Sequence, residues 1–463
     1  MNREHFIRSF LEPKSVALVG VSQKTGRGTF NILENLMMFG YKGKMYPVNP
    51  NAGEILGHKA YKNVQSLPGA VDLAIITTPR DVVPEIVEEC YEKGIKGAII
   101  VTEGFAEADD RGRVLQAKIE ETIAKRGIRI LGPNSVGVVN SFFNFSSSFI
   151  PLPKDAAPVA FISQSGGFFE GFPDCPFGKG IDLGNTSDVN FIDAISWFEE
   201  DDDIRVIVLH VEGILNVQEF INTCRRVVKS KPIIAVKGGR SESGSKAAAS
   251  HTGSLTGKDW LYSAMFRQCG IIQADTITVI GDIVRAFISL PAFTGNRIAV
   301  ITPTGAGGII TLDFVEQYGF QPALLSKKTI EDISPLFQPW RTVGNPVDIL
   351  AAGMAHGYKH VYTKVLESCL NDQNVDIALA VCGAYTLKTI KETVTKHPEK
   401  PVVVWVLGAD QSFIIENTRL YDFKPYFISP DRALYALKVV REYYTKTRGN
   451  NPWDFTPWVV SET

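Results

Sequence analysis

A chain of 463 residues, 44% hydrophobic and 21% charged, has the composition of ordinary globular protein and the length for about three domains. Its 48 basic and 50 acidic residues leave a net charge of −2 with the signs well mixed, which argues against nucleic acid or an anionic membrane as a main partner. No run of 18 apolar residues occurs and the six cysteines form no C-x-x-C pair, so the reading disfavours membrane spanning and secretion and places the chain in a reducing cytoplasm.

The first third alternates strands and helices. Ser15–Val21 reads as a strand that runs into a Gly-rich turn, Ser22–Thr29, and then a helix over Phe30–Phe39. Strands are predicted at Lys44–Val48, Leu73–Thr77, Ala98–Thr102 and Ile128–Leu131, with helices at Val83–Lys93 and Arg111–Arg126 between them. Such alternation means a parallel doubly wound sheet whose first turn lays backbone donors where a pyrophosphate binds. The glycines fall at Gly20, Gly26 and Gly28, which is not G-x-G-x-x-G, and the second strand ends in Val48-Asn49-Pro50 with no carboxylate for a ribose diol. A nicotinamide dinucleotide is therefore disfavoured. Lys24, Arg27 and Lys44 suit a ligand richer in phosphate, such as coenzyme A with its additional 3′-phosphate. The candidate cofactor residues are Gly20, Ser22, Gly26, Arg27, Gly28, Lys44 and Asn49, together with Thr102, Glu103 and Asn134 in two further strand-end loops. Structural glycines at such a turn are the plain alternative.

A connector, Pro151–Pro158, leads to a second strand, Val159–Ser163, that empties into Ser163, Gln164, Ser165 and Gly166. These residues offer hydroxyl and N–H donors for a phosphate, or simply the start of a capped helix. Leu183-Gly184-Asn185 and the strand Val206–Val211, ending in Glu212-Gly213, follow. A short buried strand, Pro232–Lys237, then opens into the Gly/Ser-rich stretch 238–255, where small residues surround His251 and Gly253. Small neighbours keep an imidazole accessible and let backbone N–H groups approach an anion, which suits a histidine that accepts and passes on a phosphoryl group; an exposed loop histidine is the bland reading.

The last third begins with a strand at Arg297–Thr302, the turn Pro303–Gly308 and a helix to Tyr318; strands at Ile377–Val381 and Val402–Leu407 make it a third α/β unit with Gly344–Asp348 as an interior loop. Its Gly-rich turn and Asn345-Pro346-Val347-Asp348 read as structural punctuation. His356 and His360 stand at i, i+4 without a third ligand, so no metal site is assigned.

The series Ala17–Ser22, Tyr46–Pro50, Thr102-Glu103-Gly104 and Gly132-Pro133-Asn134 resembles the CoA-binding domain of the nucleoside-diphosphate-forming acyl-CoA synthetases, relatives of succinyl-CoA ligase. The likeness runs from about Ser15 to Tyr444. It implies three doubly wound α/β domains: a Rossmann-like CoA-binding domain over 1–145, a flavodoxin-like domain with the phosphohistidine loop over 156–291, a second flavodoxin-like ligase domain over 295–448, and a tail, 449–463. It further implies that His251 is the phosphorylated residue, that Glu212 holds its ring, and that Ser163, Gln164, Ser165, Gly166 and Gly253 hold phosphate. Nothing in the sequence resembles the ATP-grasp domain that brings ADP or ATP and Mg²⁺ in this family. The resemblance thus implies an α subunit of an ADP-forming acetate–CoA ligase type of enzyme, acting on a small carboxylic acid or its acyl-CoA beside an ATP-grasp β subunit in an α2β2-type hetero-oligomer.

Two departures stand out. Pro173 and Pro176 interrupt the segment 167–182, where the family has a longer regular helix, and Ser135 stands where it often has cysteine. A CoA- or acyl-CoA-binding regulatory protein that kept the fold without turnover is the alternative reading.

Overall fold

The computed structural model describes residues 6–26, 28–29, 31–150, 156–170, 175–252, 258–408 and 425–448. Strands and helices alternate around three main sheets. The described residues up to Ile277 form one compact unit, and those from Thr278 on form a second.

The first sheet is built from α1 (Ile7–Leu11), β1 (Ser15–Val19), α2 (Ile32–Phe39), β2 (Lys44–Val48), a hairpin of β3 (Glu54–Ile55) and β4 (His58–Lys59), β5 (Leu73–Ile76), α3 (Val83–Glu92), β6 (Gly97–Ile100), α4 (Asp110–Arg126) and β7 (Arg129–Leu131). Its order is β2-β1-β5-β6-β7 with every pair parallel. β1, β5 and β6 are buried at every position, as strands covered on both faces must be. Local chemistry sets the helix ends: Asn31 caps α2 by accepting from the Glu34 amide, Asp109 caps α4 from Gly112, and Gly40 and Gly127 close them at φ 87° and 75°. The C-terminal strand ends open onto 20–29, 77–80, 101–104 and 132–136, where open parallel sheets bind ligands.

The second sheet follows from β8 (Val138–Asn140), β9 (Phe145–Ser146), β10 (Val159–Ser163), α5 (Gly167–Glu170), β11 (Lys179–Asp182), α6 (Phe191–Glu200), β12 (Val206–Val211), α7 (Val217–Val227), β13 (Ile233–Lys237), α8 (Glu242–Thr252), α9 (Asp259–Cys269) and β14 (Ile272–Gln273). Its order is β14-β13-β12-β10-β11-β8-β9, parallel as far as β11 and closed at one edge by the antiparallel pairs β11–β8 and β8–β9. One apolar cluster joins the two sheets, from Ile7, Phe10 and Leu11 of α1 to Phe266 and Ile271. They therefore fold as one unit instead of separate bodies.

The sequence reading left two strands unassigned and took one helix for a loop. Val138 opens β8, whose three residues are too few to carry a period. Within 167–182 the described residues hold the short α5, in keeping with the two interrupting prolines, and then the interior strand β11. A lysine hides that strand from a hydropathy reading: Lys179 is buried, with its ammonium 2.7 Å from Asp201 and 2.8 Å from Asp203. The stretch after β13, read as a Gly/Ser loop, is helical over α8. Ser241 Oγ accepts from Gly244 N at 3.0 Å, Lys246 pairs with Glu242 at 2.8 Å, and Ala247 to Ala249 are strong helix formers.

The second unit holds α10 (Ile277–Ser289, described with it from Thr278), β15 (Arg297–Thr302), α11 (Gly305–Gln317), β16 (Gln321–Pro322), α12 (Lys327–Ile333), β17 (Val347–Asp348), α13 (Leu350–His356), α14 (Tyr358–Asn371), β18 (Ile377–Gly383), α15 (Leu387–Val394), β19 (Val402–Leu407), β20 (Tyr426–Phe427) and α16 (Pro430–Arg448). Its sheet is wholly parallel, β16-β15-β18-β19-β20, with β17 paired to β15. The glycines that open α11 are structural, since a Cβ on Gly308 would meet Pro346 and Thr302 at 3.0 Å. Asn345 holds the backbone of Ile298, Val300 and Ala323. His356 ends α13 and His360 begins α14 across Gly357, so their spacing does not put them on one helix. No helix among the described residues is long and apolar enough to cross a membrane.

Candidate functional site

A cavity of about 720 Å³ lies where the strand ends of the first two sheets meet within the first unit. Its walls combine Thr102, Glu103 and Asn134 from the first sheet with Gln164, Ser165 and Gly166 from the second, so six sequence candidates share one space. Each is held by backbone geometry. Thr102 Oγ1 donates to Thr78 O at 2.7 Å, and Asn134, in the left-handed region at φ 59°, donates its amide to Thr102 O at 3.0 Å. Gly166 has no room for a side chain, because a Cβ would fall 2.2 Å from Val136 Cγ1.

Gln164 ties this cavity to the carboxylate that ends β12. Its Oε1 accepts from Glu212 N at 2.8 Å and Gly213 N at 2.9 Å, which fixes the Glu-Gly turn against the floor of the pocket. Glu212 is 8% exposed. Lys237 at the end of β13 is charge-coupled to it; burial lowers the lysine pKa, while Glu212 and then Asp259 oppose that shift. Glu212 Cγ would lie 3.5 Å from a Cβ on Gly238, so the carboxylate stands against the start of the 238–255 stretch. Gly239, at φ 69°, packs against Ala248 of α8, one turn before His251. His251 lies in the last turn of α8; its side chain, and all of Gly253, fall outside the described residues.

Ser163 points to a different job from the one expected. Its Oγ donates to Ser165 O at 2.8 Å, accepts from Ser165 N at 3.0 Å and lies 3.2 Å from His210 Nδ1. With its single proton directed at Ser165 O, Ser163 takes that contact from an Nδ1–H of His210. Phe168 stacks on the same imidazole, centroid to centroid 3.8 Å. Ser163 is thus a clasp under the pocket.

The glycine turn of the first sheet is a second locus. Gly20, at φ 87°, leaves no space: a Cβ would sit 2.7 Å from Thr78 Cγ2 and 2.9 Å from Thr78 N. At Gly26 and Gly28 a Cβ would meet nothing within 4 Å among the described residues, and it is the positive φ of 96° and 86° that the turn needs from glycine. Ser22 Oγ accepts from Lys24 N, and the Gly26 amide donates to Glu34 at 2.8 Å. Asn49 is a brace, its amide donating to Val21 O and its Oδ1 accepting from Asn51 N. Lys44 does not join this group, because it opens β2 opposite Ser15, at the N-terminal edge of the sheet and away from the strand ends. Arg27 lies outside the described residues.

Sequence reasoning passed over Asp182 and His210. Asp182 is the last residue of β11 and Glu212 directly follows β12, an acidic residue at each strand end ahead of a glycine turn, and that parallel was the available signal. All six cysteines are buried and free, and burial pushes the thiols of Cys90, Cys269, Cys369 and Cys382 up to about 12, which leaves them out of any chemistry at neutral pH.

Comparison with known proteins agrees with this layout. Residues 14–141 match the family model of a CoA binding domain, and residues 156–287 that of a succinyl-CoA ligase like flavodoxin domain. The chain is 40% identical to the α subunit of acetate–CoA ligase [ADP-forming] II from Pyrococcus furiosus, over 84% of this chain and 85% of that one. It is 38% identical to an acetate–CoA ligase [ADP-forming] from Methanocaldococcus jannaschii, over 75% of this chain but 50% of the relative. Among solved structures it is similar to acetyl-coenzyme A synthetase 1 of Ca. Korarchaeum cryptofilum, described as dinucleotide-forming and in complex with phosphate and ADP. There the TM-score is 0.85 at 30% identity, covering 96% of this chain and 97% of the other.

Proposed function

The chain belongs to the family of ADP-forming acetate–CoA ligase α subunits, and from that premise we propose how its residues divide the work of interconverting acyl-CoA, ADP and phosphate with acid, CoA and ATP. The observation that carries the reading is the shared cavity. Strand ends of the CoA-binding sheet and of the ligase sheet line one space, and Gln164 fixes Glu212 beneath it. Coenzyme A binds the first sheet, its phosphates at the glycine turn around Gly28, while its thioester reaches toward Thr102 and Asn134. A phosphate oxygen then attacks the acyl carbon, the C–S bond breaks and CoA leaves as thiolate, giving acyl phosphate.

His251 next attacks phosphorus through one ring nitrogen, and the P–O bond to the acyl group breaks to release the carboxylate. Glu212, held in place by two backbone amides, accepts from the other ring nitrogen and balances the charge that develops there. An ADP oxygen finally takes the phosphoryl group. ADP and Mg²⁺ come with an ATP-grasp β subunit; the M. jannaschii relative, with half of its length outside the match, supports the need for a second part. The substrate is a small monocarboxylate. An α2β2-type assembly and a cytoplasmic location complete the proposal.

The test is labelling by γ-labelled ATP in the presence of the β subunit, read as acid-labile, base-stable phosphate. His251→Ala is expected to take up no label, and Glu212→Gln to keep the fold and lose roughly 10²- to 10³-fold in rate, the general size of orienting and electrostatic effects. Label on His251→Ala would overturn the assignment.

A further inference from the structure

Asp182 has the surroundings of a working group. It lies in the wall of the cavity, it is 0% exposed, and it sits in register with Ser163 of β10, which pairs in turn with His210 of β12. Directly paired residues of neighbouring strands project from the same face, so Asp182, Ser163 and His210 form a row across the sheet at the pocket. The carboxyl is held on one side only. Oδ2 accepts from Val136 N at 2.7 Å, and the Gly184 amide also bonds to the carboxyl, whereas Oδ1 is buried with no hydrogen-bond partner among the described residues.

An ionised carboxylate with one oxygen bare would be costly in a buried wall, and more so beside a phosphate. In the protonated form the Val136 amide keeps Oδ2 as acceptor, so the proton belongs on Oδ1, for which the described residues offer no partner. We propose that Asp182 is a binding residue that meets the ligand as a neutral acid, its Oδ1–H donating one hydrogen bond to an oxygen of a phosphate-type oxyanion held beside Ser165 and Gly166. The assignment rests on the reading of this cavity as the place of phosphate attack. Burial, chiefly, and then Glu212 raise the Asp182 pKa to about 7, against the pull of the Val136 and Gly184 amides, which agrees with a group that is largely neutral at about pH 6. The same arrangement lets a carboxylic acid serve as an oxyanion donor elsewhere in enzymology.

Among the described residues, the titratable groups facing this region are Glu212 and His210 on β12, Lys237 on β13 and Glu103 in the wall. Sulfate, whose charge is constant over the range, is the probe. Equilibrium dialysis with labelled sulfate at pH 6 and pH 8.5, on the full chain, compares wild type with Asp182→Asn and Asp182→Ala. Only the protonated fraction of Asp182 donates, so wild-type affinity is expected to fall roughly thirtyfold between the two pH values. Asn keeps an oxygen for the amides and an N–H for the ligand, so its binding should vary by less than about threefold across the range and stay within about threefold of wild type at pH 6. Ala should bind weakly at both. An undiminished pH slope in Asp182→Asn, binding of Asp182→Asn as weak as that of the Ala variant, or wild-type binding that does not fall with pH would overturn the proposal. Calorimetry with coenzyme A on the same proteins separates the two readings: a pH-sensitive sulfate site in a chain that fails to bind CoA would sustain the Asp182 assignment and sink the ligase reading.

Discussion

Replacing Gln164 with methionine isolates the contact that holds the site together. The side chain is 8% exposed, and its Oε1 serves two backbone amides, those of Glu212 and Gly213, at 2.8 and 2.9 Å. Methionine fills a similar volume without the acceptor, so packing is largely kept while two buried N–H groups lose their partner. Leaving one such group unsatisfied costs about 1–3 kcal/mol, which puts the pair at roughly 2–6 kcal/mol if neither amide finds another acceptor. Because the Glu-Gly turn carries the carboxylate proposed to orient His251, relaxation of the turn that recovers part of this energy would displace Glu212. Stability and phosphoryl transfer should therefore fall together. Urea unfolding of the full chain measures the first and the labelling assay with the β subunit the second. Gln164→Glu retains an acceptor for both amides but brings another buried carboxyl beside Glu212 and Asp182, so it should recover only part of the stability. A loss below about 1 kcal/mol for Gln164→Met, with labelling unchanged, would refute the reasoning.

Two further perturbations bear on the framework. Lys179→Met removes a cation paired with Asp201 at 2.7 Å and strands that 6% exposed carboxylate, so it should cost about 3–5 kcal/mol in urea unfolding; the double variant with Asp201→Asn should be milder, and equal losses would show that the charge is not the cause. Gly20→Ala forces a side chain into φ 87° and to 2.7 Å from Thr78 Cγ2, for an expected loss of about 1–3 kcal/mol and weaker CoA binding by calorimetry; an unchanged melting temperature would count against the close approach.

The alternation of strand and helix, and with it the α/β class, was legible in the chain because parallel strands covered on both faces must be continuous apolar runs: Ser15–Val19, Val206–Val211 and Val402–Leu407 appear in the structure at or within two residues of the predicted bounds. The strand-end motifs were legible for a related reason, since turns that bring backbone to a ligand demand glycine and small polar residues at fixed places, as Gly20, Gly104 and Gly166 do. Other features depended on partners distant in sequence. Lys179 makes β11 look polar until Asp201 is folded against it, and Val138–Asn140 is a strand because β11 and β9 lie beside it. Whether Gly/Ser/Ala at 238–252 coils or winds was decided by Ser241 as a cap and by the packing of Ala248 on Gly239. Lys44 was grouped with the phosphate ligands by charge, and the parallel register with Ser15 put it at the other edge. Gln164 braces Glu212 across 48 residues, and Asp182 acquired an unpaired oxygen in a cavity wall only when two sheets closed around it. Periodicity reports what each segment buries, while the protonation and reach of a site residue are set by neighbours that only the tertiary fold supplies.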